Sequence, residues 1–435
     1  MKRYRPISMT NSKVLSWILL MFSCLFILFG CSNSSSHPPD DQQPGKEPSE
    51  TAVPQQPTDK PVPSAASTAE PDQANQQVKQ TLESMTVSQK IGQLMLIGLE
   101  GTAVNSDTEA MLNNKIGGFI LYKNNIKSAE QAWTLLNDLK HRNQAYEIPL
   151  WLGVDQEGGK VSRMPEDFIK IPSPNIVGSK ENPDYAYRTG QAIGLEVSSL
   201  GFNFDFAPVL DINSNPKNPV IGNRAYGTTP EQAARYALEA MKGIQSEQVA
   251  TSVKHFPGHG DTTVDSHQDL PVIQKSKSEL ESFETKPFVE AIAEDADSIM
   301  VGHLLIPAID EEFPASLSEK IVSDWLRSEL DYDGVIITDD MTMGGITKHR
   351  DIAEAALQSI LAGTDIVLIG HDPKLQLKVW DRLNQAAADG ILTEERINES
   401  VERILTLKQK YELSDEATPV LDVAELNKKV DSLLK

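Results

Sequence analysis

From Thr86 to Tyr411 the chain alternates two hydrophobic patterns. Short runs of Val, Ile, Leu and Phe, apolar at nearly every position, are separated by longer segments in which apolar residues recur every three or four places. The first pattern predicts strands buried on both faces, and the second predicts amphipathic helices. A first strand is predicted in the apolar stretch Leu94 to Leu99. Others follow at Gly118 to Tyr122, Pro149 to Asp155, Phe202 to Asp211, Val249 to His255, Ser298 to His303, Gly334 to Asp339 and Asp365 to Ile369. The helices between them have legible starts: Thr86 with Gln89 forms a capping box, and Ser128 with Gln131, Thr229-Pro230 with Gln232 and Ser276 with Glu279 repeat the theme. Eight such units predict an α/β protein, a single (β/α)8 barrel of the TIM type, with a doubly wound open sheet as the alternative. Thr393 to Tyr411 reads as a closing helix. Residues 78–412 are thus the expected barrel domain, and residues 413–435, too few for another domain, are expected as a tail.

Polar residues interrupt this apolar frame by a rule. Asp155, Asp211, Lys254 with His255, His303 and Asp339 all fall at the carboxyl ends of predicted strands. In a barrel those ends converge on one mouth, where active sites of this fold are built. The densest stretch is Lys254 to Pro271, KHFPGHGDTTVDSHQDLP, which packs a Lys, three His and three Asp around Gly258 and Gly260. Within it Asp265 and His267 flank Ser266, so the carboxylate can accept a hydrogen bond from one ring nitrogen and fix the imidazole's tautomer. The other nitrogen is then free to exchange protons. Any one of these histidines could be an ordinary polar loop residue, but the density of the whole stretch is that of a site.

That stretch resembles the signature of the family 3 glycoside hydrolases, in the branch of bacterial exo-β-N-acetylglucosaminidases: Lys-His-(Phe or Ile)-Pro-Gly-His-Gly followed closely by Asp-Ser-His. Three further pieces match in order, DQEGGKVSR from Asp155 to Arg163, GNRAYG from Gly222 to Gly227 and ITDDMTM from Ile337 to Met343, and the resemblance covers about residues 80 to 412. It implies a barrel fold and retaining removal of a terminal β-linked N-acetylglucosamine from the non-reducing end, most often of peptidoglycan fragments. It further implies that Asp339 is the nucleophile, that His267 with Asp265 replaces the usual second carboxylic acid, and that Arg224 reaches the sugar. Asp155, Arg163, Lys254 and His255 have the polarity to grip sugar oxygens. Asp340 is expected to point elsewhere as a supporting residue, and His303, Asp211 and Met341 are candidates for the pocket wall.

The chemistry is consistent with those residue types. Retaining hydrolysis needs a nucleophile on one face of the ring and a proton donor beside the leaving oxygen. An imidazole ordinarily titrates at about 6.5, and an adjacent carboxylate favours its charged form, which suits proton donation near neutral pH. A Ser-His-Asp hydrolase would need a G-x-S-x-G elbow, which the strand ends lack. Two other readings stay open. One is a phosphorylase on the same scaffold, since an imidazole does not repel phosphate as a carboxylate would. The other is a non-catalytic sugar-binding lipoprotein. No cofactor or metal is expected.

The N-terminus changes where such a protein would work. Lys2, Arg3, Arg5 and Lys13 precede an apolar run from Val14 to Phe29, which reads as an export signal over residues 1–30. Its end, Leu28-Phe29-Gly30-Cys31, resembles a bacterial lipobox, which implies cleavage before Cys31 and lipidation of that residue. Cys24 lies inside the signal, so no disulfide is expected in the mature chain. Residues 31–77 are rich in Ser, Pro, Gln, Asp and Glu and are expected to be a disordered linker holding the barrel off the outer face of the cell membrane. Over all 435 residues the net charge is −22, which repels phosphate backbones and argues against a nucleic acid partner. The expected partners are a carbohydrate and, through the lipid, a membrane, and the expected state is a monomer.

Overall fold

The computed structural model describes residues 71–435. The expected export signal, the expected lipidation site at Cys31 and the expected linker as far as residue 70 lie outside the described residues. Among the described residues, no helix is long and apolar enough to cross a membrane.

Eight parallel strands close into one barrel in sequence order, β8 pairing with β1. They are β1 Met95–Gly98, β2 Gly118–Leu121, β3 Trp151–Val154, β4 Phe204–Asp205, β5 Ala250–Phe256, β6 Ser298–Val301, β7 Val335–Asp340 and β8 Ile366–Ile369. The continuous apolar runs are explained by burial on both sides, against the barrel interior and against the helical layer. Where two strands approach most closely the sequence supplies glycine. A Cβ on Gly118 would lie 2.1 Å from the Trp151 carbonyl oxygen, so β2 could not otherwise pair with β3. The helix starts carry the anticipated caps: Thr86 and Gln89 form a closed capping box, as do Ser276 and Glu279, and the Thr229 side chain accepts from the Gln232 amide with Pro230 in the first turn.

The predicted strand Phe202 to Asp211 is cut to Phe204–Asp205. Pro208 has no N–H to give to a ladder, so the chain leaves the sheet and touches it again only at Val209, opposite Lys254. Asp211 therefore lies in a loop beyond the strand, free to reach β5.

Polar groups at the starts of strands hold the closed end of the barrel. The Lys408 ammonium, buried on helix Glu394–Lys410, donates to Gln93 Oε1 at 2.8 Å, Gly117 O at 3.1 Å and Pro149 O at 2.6 Å, just before β1, β2 and β3. Asp297, before β6, accepts from the Thr251 amide at 3.0 Å and the Tyr411 hydroxyl at 2.6 Å. Asp365, before β8, accepts from the Ile336 amide at 2.9 Å, Ser400 Oγ at 2.7 Å and Arg327 Nη2 at 2.8 Å. These buried groups are partnered and answer to the fold, not to a ligand.

Both expected domain boundaries shift. Helix Pro71–Ser84 begins inside the segment expected as linker and buries Val78. Residues 413–435 are not a loose tail, because helix Val423–Leu434 packs on helix Pro183–Leu200 and buries Leu426 and Val430, one helical turn apart. Asn427 locks it in place: its side-chain oxygen accepts from the Ile169 amide at 3.1 Å, and its nitrogen donates to Asp167 O at 2.8 Å. Leu426→Ala should lower stability by about 2 kcal/mol, the low end for a buried leucine at the edge of a core. Urea unfolding followed by circular dichroism would show no shift in midpoint if this segment were an unattached tail.

Candidate active site

At the open end of the barrel the polar side chains partner one another. Lys254, on β5 and 2% exposed in its side chain, places its ammonium 2.7 Å from Asp155 Oδ1 and 2.7 Å from Glu157 Oε1. Glu157 in turn takes a two-pronged contact from Arg224, with Nε and Nη2 both at 2.7 Å. Arg163 Nη2 completes the group 3.7 Å from Asp155 Oδ2. Burial pushes the Glu157 carboxyl up, but Arg224 and Lys254 outweigh it and hold the group far below the usual carboxylate range. Burial pulls the other way on Lys254, and Asp155 and Glu157 raise it above an ordinary lysine. Glu157, Lys254 and Arg224 are therefore ionised, and the geometry of the cluster is fixed by charge-assisted bonds.

The next group on β5 is His255, whose Nδ1 lies 2.6 Å from Asp211 Oδ2. The other Asp211 oxygen accepts from the His259 amide at 2.6 Å, which fixes the Gly-rich turn to the same fully buried carboxylate. The peptide bonds Lys254–His255 and Phe256–Pro257 are cis, and the pairing of β5 with β6 shifts register between Lys254 and Phe256. The His259 imidazole is pulled down to about 4 by burial and then by the charge of His255, so it stays neutral. It bridges Thr262 Oγ1 at 2.8 Å and Ser266 Oγ at 3.0 Å. Ser266 is the residue between Asp265 and His267, so His259 braces the loop that carries them.

On that loop the expected dyad is present. His267 Nδ1 lies 2.9 Å from Asp265 Oδ1, and the same oxygen accepts the His267 amide at 2.9 Å. Asp265 opposes its own partial burial with these bonds, which hold its carboxyl below the usual range. The imidazole itself, 64% exposed, stands at the rim. Asp339, near the end of β7, is half-buried and accepts the Asp340 amide at 2.8 Å. Burial would raise its pKa, but the charges of His255, His303 and His267 and that amide bring it down to about 2.

Asp340 also lines the cleft, but its carboxylate is fully engaged by neighbouring groups. Its carboxylate accepts from the Tyr122 hydroxyl at 2.8 Å, the Thr342 hydroxyl at 2.7 Å, the Thr342 amide at 2.9 Å and the Gly370 amide at 2.9 Å. His303 is buried with both ring nitrogens engaged, Nδ1 at 2.7 Å from Ser316 Oγ and Nε2 at 3.1 Å from Asp340 O. Met341, expected at the pocket wall, is fully buried, and Met300 and Met343 take that place.

These residues share one cleft of about 440 Å³, lined by Asp155, Arg163, Arg224, Lys254, His255, His267 and Asp339, with Asp265 behind His267. A larger hollow of about 760 Å³, lined by Asp295, Glu399 and Lys410 among others, lies at the strand starts, away from this chemistry. Among the described residues, no group of three or more His, Cys, Asp and Glu side chains is placed to hold a metal ion. The sequence reading missed Glu157, although it stands in the DQEGG segment two residues after Asp155, and it missed Tyr122 and His371, which also line the cleft. Glu157→Gln should unpair Arg224 and weaken the hold on Lys254, costing about 3–5 kcal/mol of stability as a broken buried pair does. A denaturation midpoint within experimental error of the unaltered protein would show that the cluster does not depend on Glu157.

Residues 86–407 match the Glycosyl hydrolase family 3 N terminal domain. The chain is 32% identical over 367 residues to Beta-hexosaminidase A of Pseudoalteromonas piscicida, covering 75% of this chain and 61% of that protein. It is also 32% identical over 326 residues to the Beta-hexosaminidase of Idiomarina loihiensis, covering 74% of this chain and 95% of that one. In structure it is similar to a glycoside hydrolase family 3 beta-N-acetylglucosaminidase from Paenibacillus sp. str. FPU-7, with a TM-score of 0.75 and 39% identity over 80% of this chain and 68% of that chain. With its barrel matched almost from end to end, and with the matched segments meeting in a single cleft, the chain belongs to glycosyl hydrolase family 3.

Proposed function

We propose that the protein is a retaining exo-β-N-acetylglucosaminidase. The observation that carries this reading is the pairing, in one cleft, of an ionised Asp339 with an exposed His267 oriented by Asp265. The Asp339 carboxylate attacks the anomeric carbon while His267 gives its proton to the leaving oxygen, forming a covalent glycosyl-enzyme. The imidazole, now neutral, takes a proton from water as that water attacks the same carbon, and Asp339 leaves. Asp265 holds the ring and stabilises its charge. Asp155, Arg163, Lys254 and His255 hold the hydroxyls of the terminal sugar, and Arg224 acts beside them through Glu157. Specificity for N-acetylglucosamine is inferred from the relatives' described activities. The sugar source is proposed to be peptidoglycan fragments, met by a monomeric enzyme held at the outer face of the membrane by lipid on Cys31. Loss of membrane association in Cys31→Ser would support that placement.

Turnover of 4-nitrophenyl β-N-acetylglucosaminide beside the corresponding β-glucoside tests the assignment, and equal rates on both would sink the N-acetyl specificity. Adding phosphate and looking for a sugar 1-phosphate checks for phosphorolysis in the same assay. Asp339→Ala should keep less than about a hundredth of the activity, and azide should rescue it with an α-configured glycosyl azide. His267→Ala should lose roughly 10²- to 10⁴-fold on a disaccharide, the usual scale of general acid catalysis. On the nitrophenyl substrate, whose leaving group needs no proton, it should instead show a burst followed by a slow steady state. Equal losses on both substrates, with no burst, would place the proton donor elsewhere.

A further inference from the structure

We infer that Gln156 is a positioning residue, tying Asp155 and Arg163 to a buried pair of carboxyl groups, Glu196 and Asp205, so that the sugar-gripping side chains stand at a fixed spacing. This rests on the proposed role of Asp155 and Arg163. Gln156 lies between Asp155 and Glu157, yet its own side chain points inward and is 1% exposed. It uses three polar groups. Its amide N–H donates to Asp205 Oδ1 at 2.8 Å, its side-chain nitrogen donates to Glu196 Oε2 at 3.1 Å, and its side-chain oxygen accepts the Arg163 amide at 2.9 Å. Each bond reaches a different part of the fold: the end of β4, helix Pro183–Leu200 and the returning limb of the Asp155 to Arg163 segment. That segment is closed on itself by the Glu157 amide donating to Val161 O at 2.9 Å. Rotation at Gln156 would swing Asp155 and Glu157 together and release Arg163, and misplacement of a gripping group by about 1 Å costs on the order of 10²-fold in rate.

Glu196 and Asp205 are both fully buried, and neither meets a Lys or Arg at ion-pair distance among the described residues. Among the described residues, Glu196 Oε1 and Asp205 Oδ2 have no hydrogen-bond partner. Lys170 is the charged group that faces Glu196, while Lys254, Asp155 and Glu157 face Asp205, with the Tyr226 hydroxyl near it. Burial dominates both carboxyls: Glu196 is pushed up to about 8 and Asp205 well above its ordinary value. At neutral pH Glu196 therefore faces the Gln156 side-chain amide as a neutral acid.

The test compares two variants of the full chain. Gln156→Met keeps the volume and removes the amide. It should fold, raise KM for 4-nitrophenyl β-N-acetylglucosaminide by roughly ten- to a hundredfold, and speed hydrogen–deuterium exchange across residues 155–163 without changing exchange in β7. Glu196→Gln keeps a carbonyl acceptor for the Gln156 side-chain nitrogen and replaces the titratable O–H with an amide NH2, so KM should stay within about twofold of the unaltered protein. In that protein, Glu196 binds its proton more tightly folded than unfolded, so its contribution is full below the unfolded value and is lost as pH rises through about 8. Glu196→Gln should flatten that alkaline loss of stability. Unchanged KM and unchanged exchange in Gln156→Met would overturn the inference, and so would a Glu196→Gln variant as impaired as Gln156→Met. If the unaltered protein failed to turn over the substrate, the proposed function would fall, and the exchange measurement alone would still decide the role of Gln156.

Discussion

The open end of this barrel depends on one buried ammonium. Lys254 is withdrawn from water between Asp155 and Glu157, and Glu157 is itself gripped by Arg224. A charge so placed is tolerable only when its partners are complete, because an unpaired buried ion costs several kcal/mol. The requirement spreads outward: β3 must deliver two carboxylates, β5 must deliver the lysine at its end, and the loop containing Gly222–Arg224 must close over them. Three segments far apart in the chain are thereby brought to a common register, and the cleft is the space they enclose.

The two ends of the barrel use polar residues in opposite ways. At the strand starts Lys408, Asp297 and Asp365 satisfy backbone groups or structural side chains and leave little chemistry unspent. At the strand ends the same residue types are arranged to keep charge and proton exchange available: Asp339 ionised, His267 exposed, and Asp155 shared between Lys254 and Arg163. Composition cannot distinguish a structural Asp365 from a cleft Asp339. The end of the strand on which each stands can.

That distinction explains what was legible in the chain. Strand cores and helix caps are set by neighbours within a few residues, so periodicity located all eight strands, and Thr86, Thr229 and Ser276 marked helix starts. The Asp265–His267 pairing was legible for the same reason, since its partners are two residues apart. Long-range commitments were not. Glu157 read only as part of the DQEGG segment because its partners come from distant segments, and the bond that Arg224, itself expected at the site, makes to Glu157 leaves no local trace. The final helix escaped because its apolar face is short and makes sense only beside helix Pro183–Leu200. Pro208 did carry a local signal against a long fourth strand.

The His259–Ser266 bond has a consequence for how such a site can diversify. The loop that carries His267 is oriented internally by Asp265 and moored to the barrel by the His259 imidazole and by the Gly344 and Gly345 amides, which donate to His267 O at 3.2 Å and Ser266 O at 3.0 Å. The groups proposed to hold the terminal sugar are fixed separately, by ion pairs at the ends of β3 and β5. Insertions in the loop outside those moorings can alter its outer surface while the buried charges stay where they are.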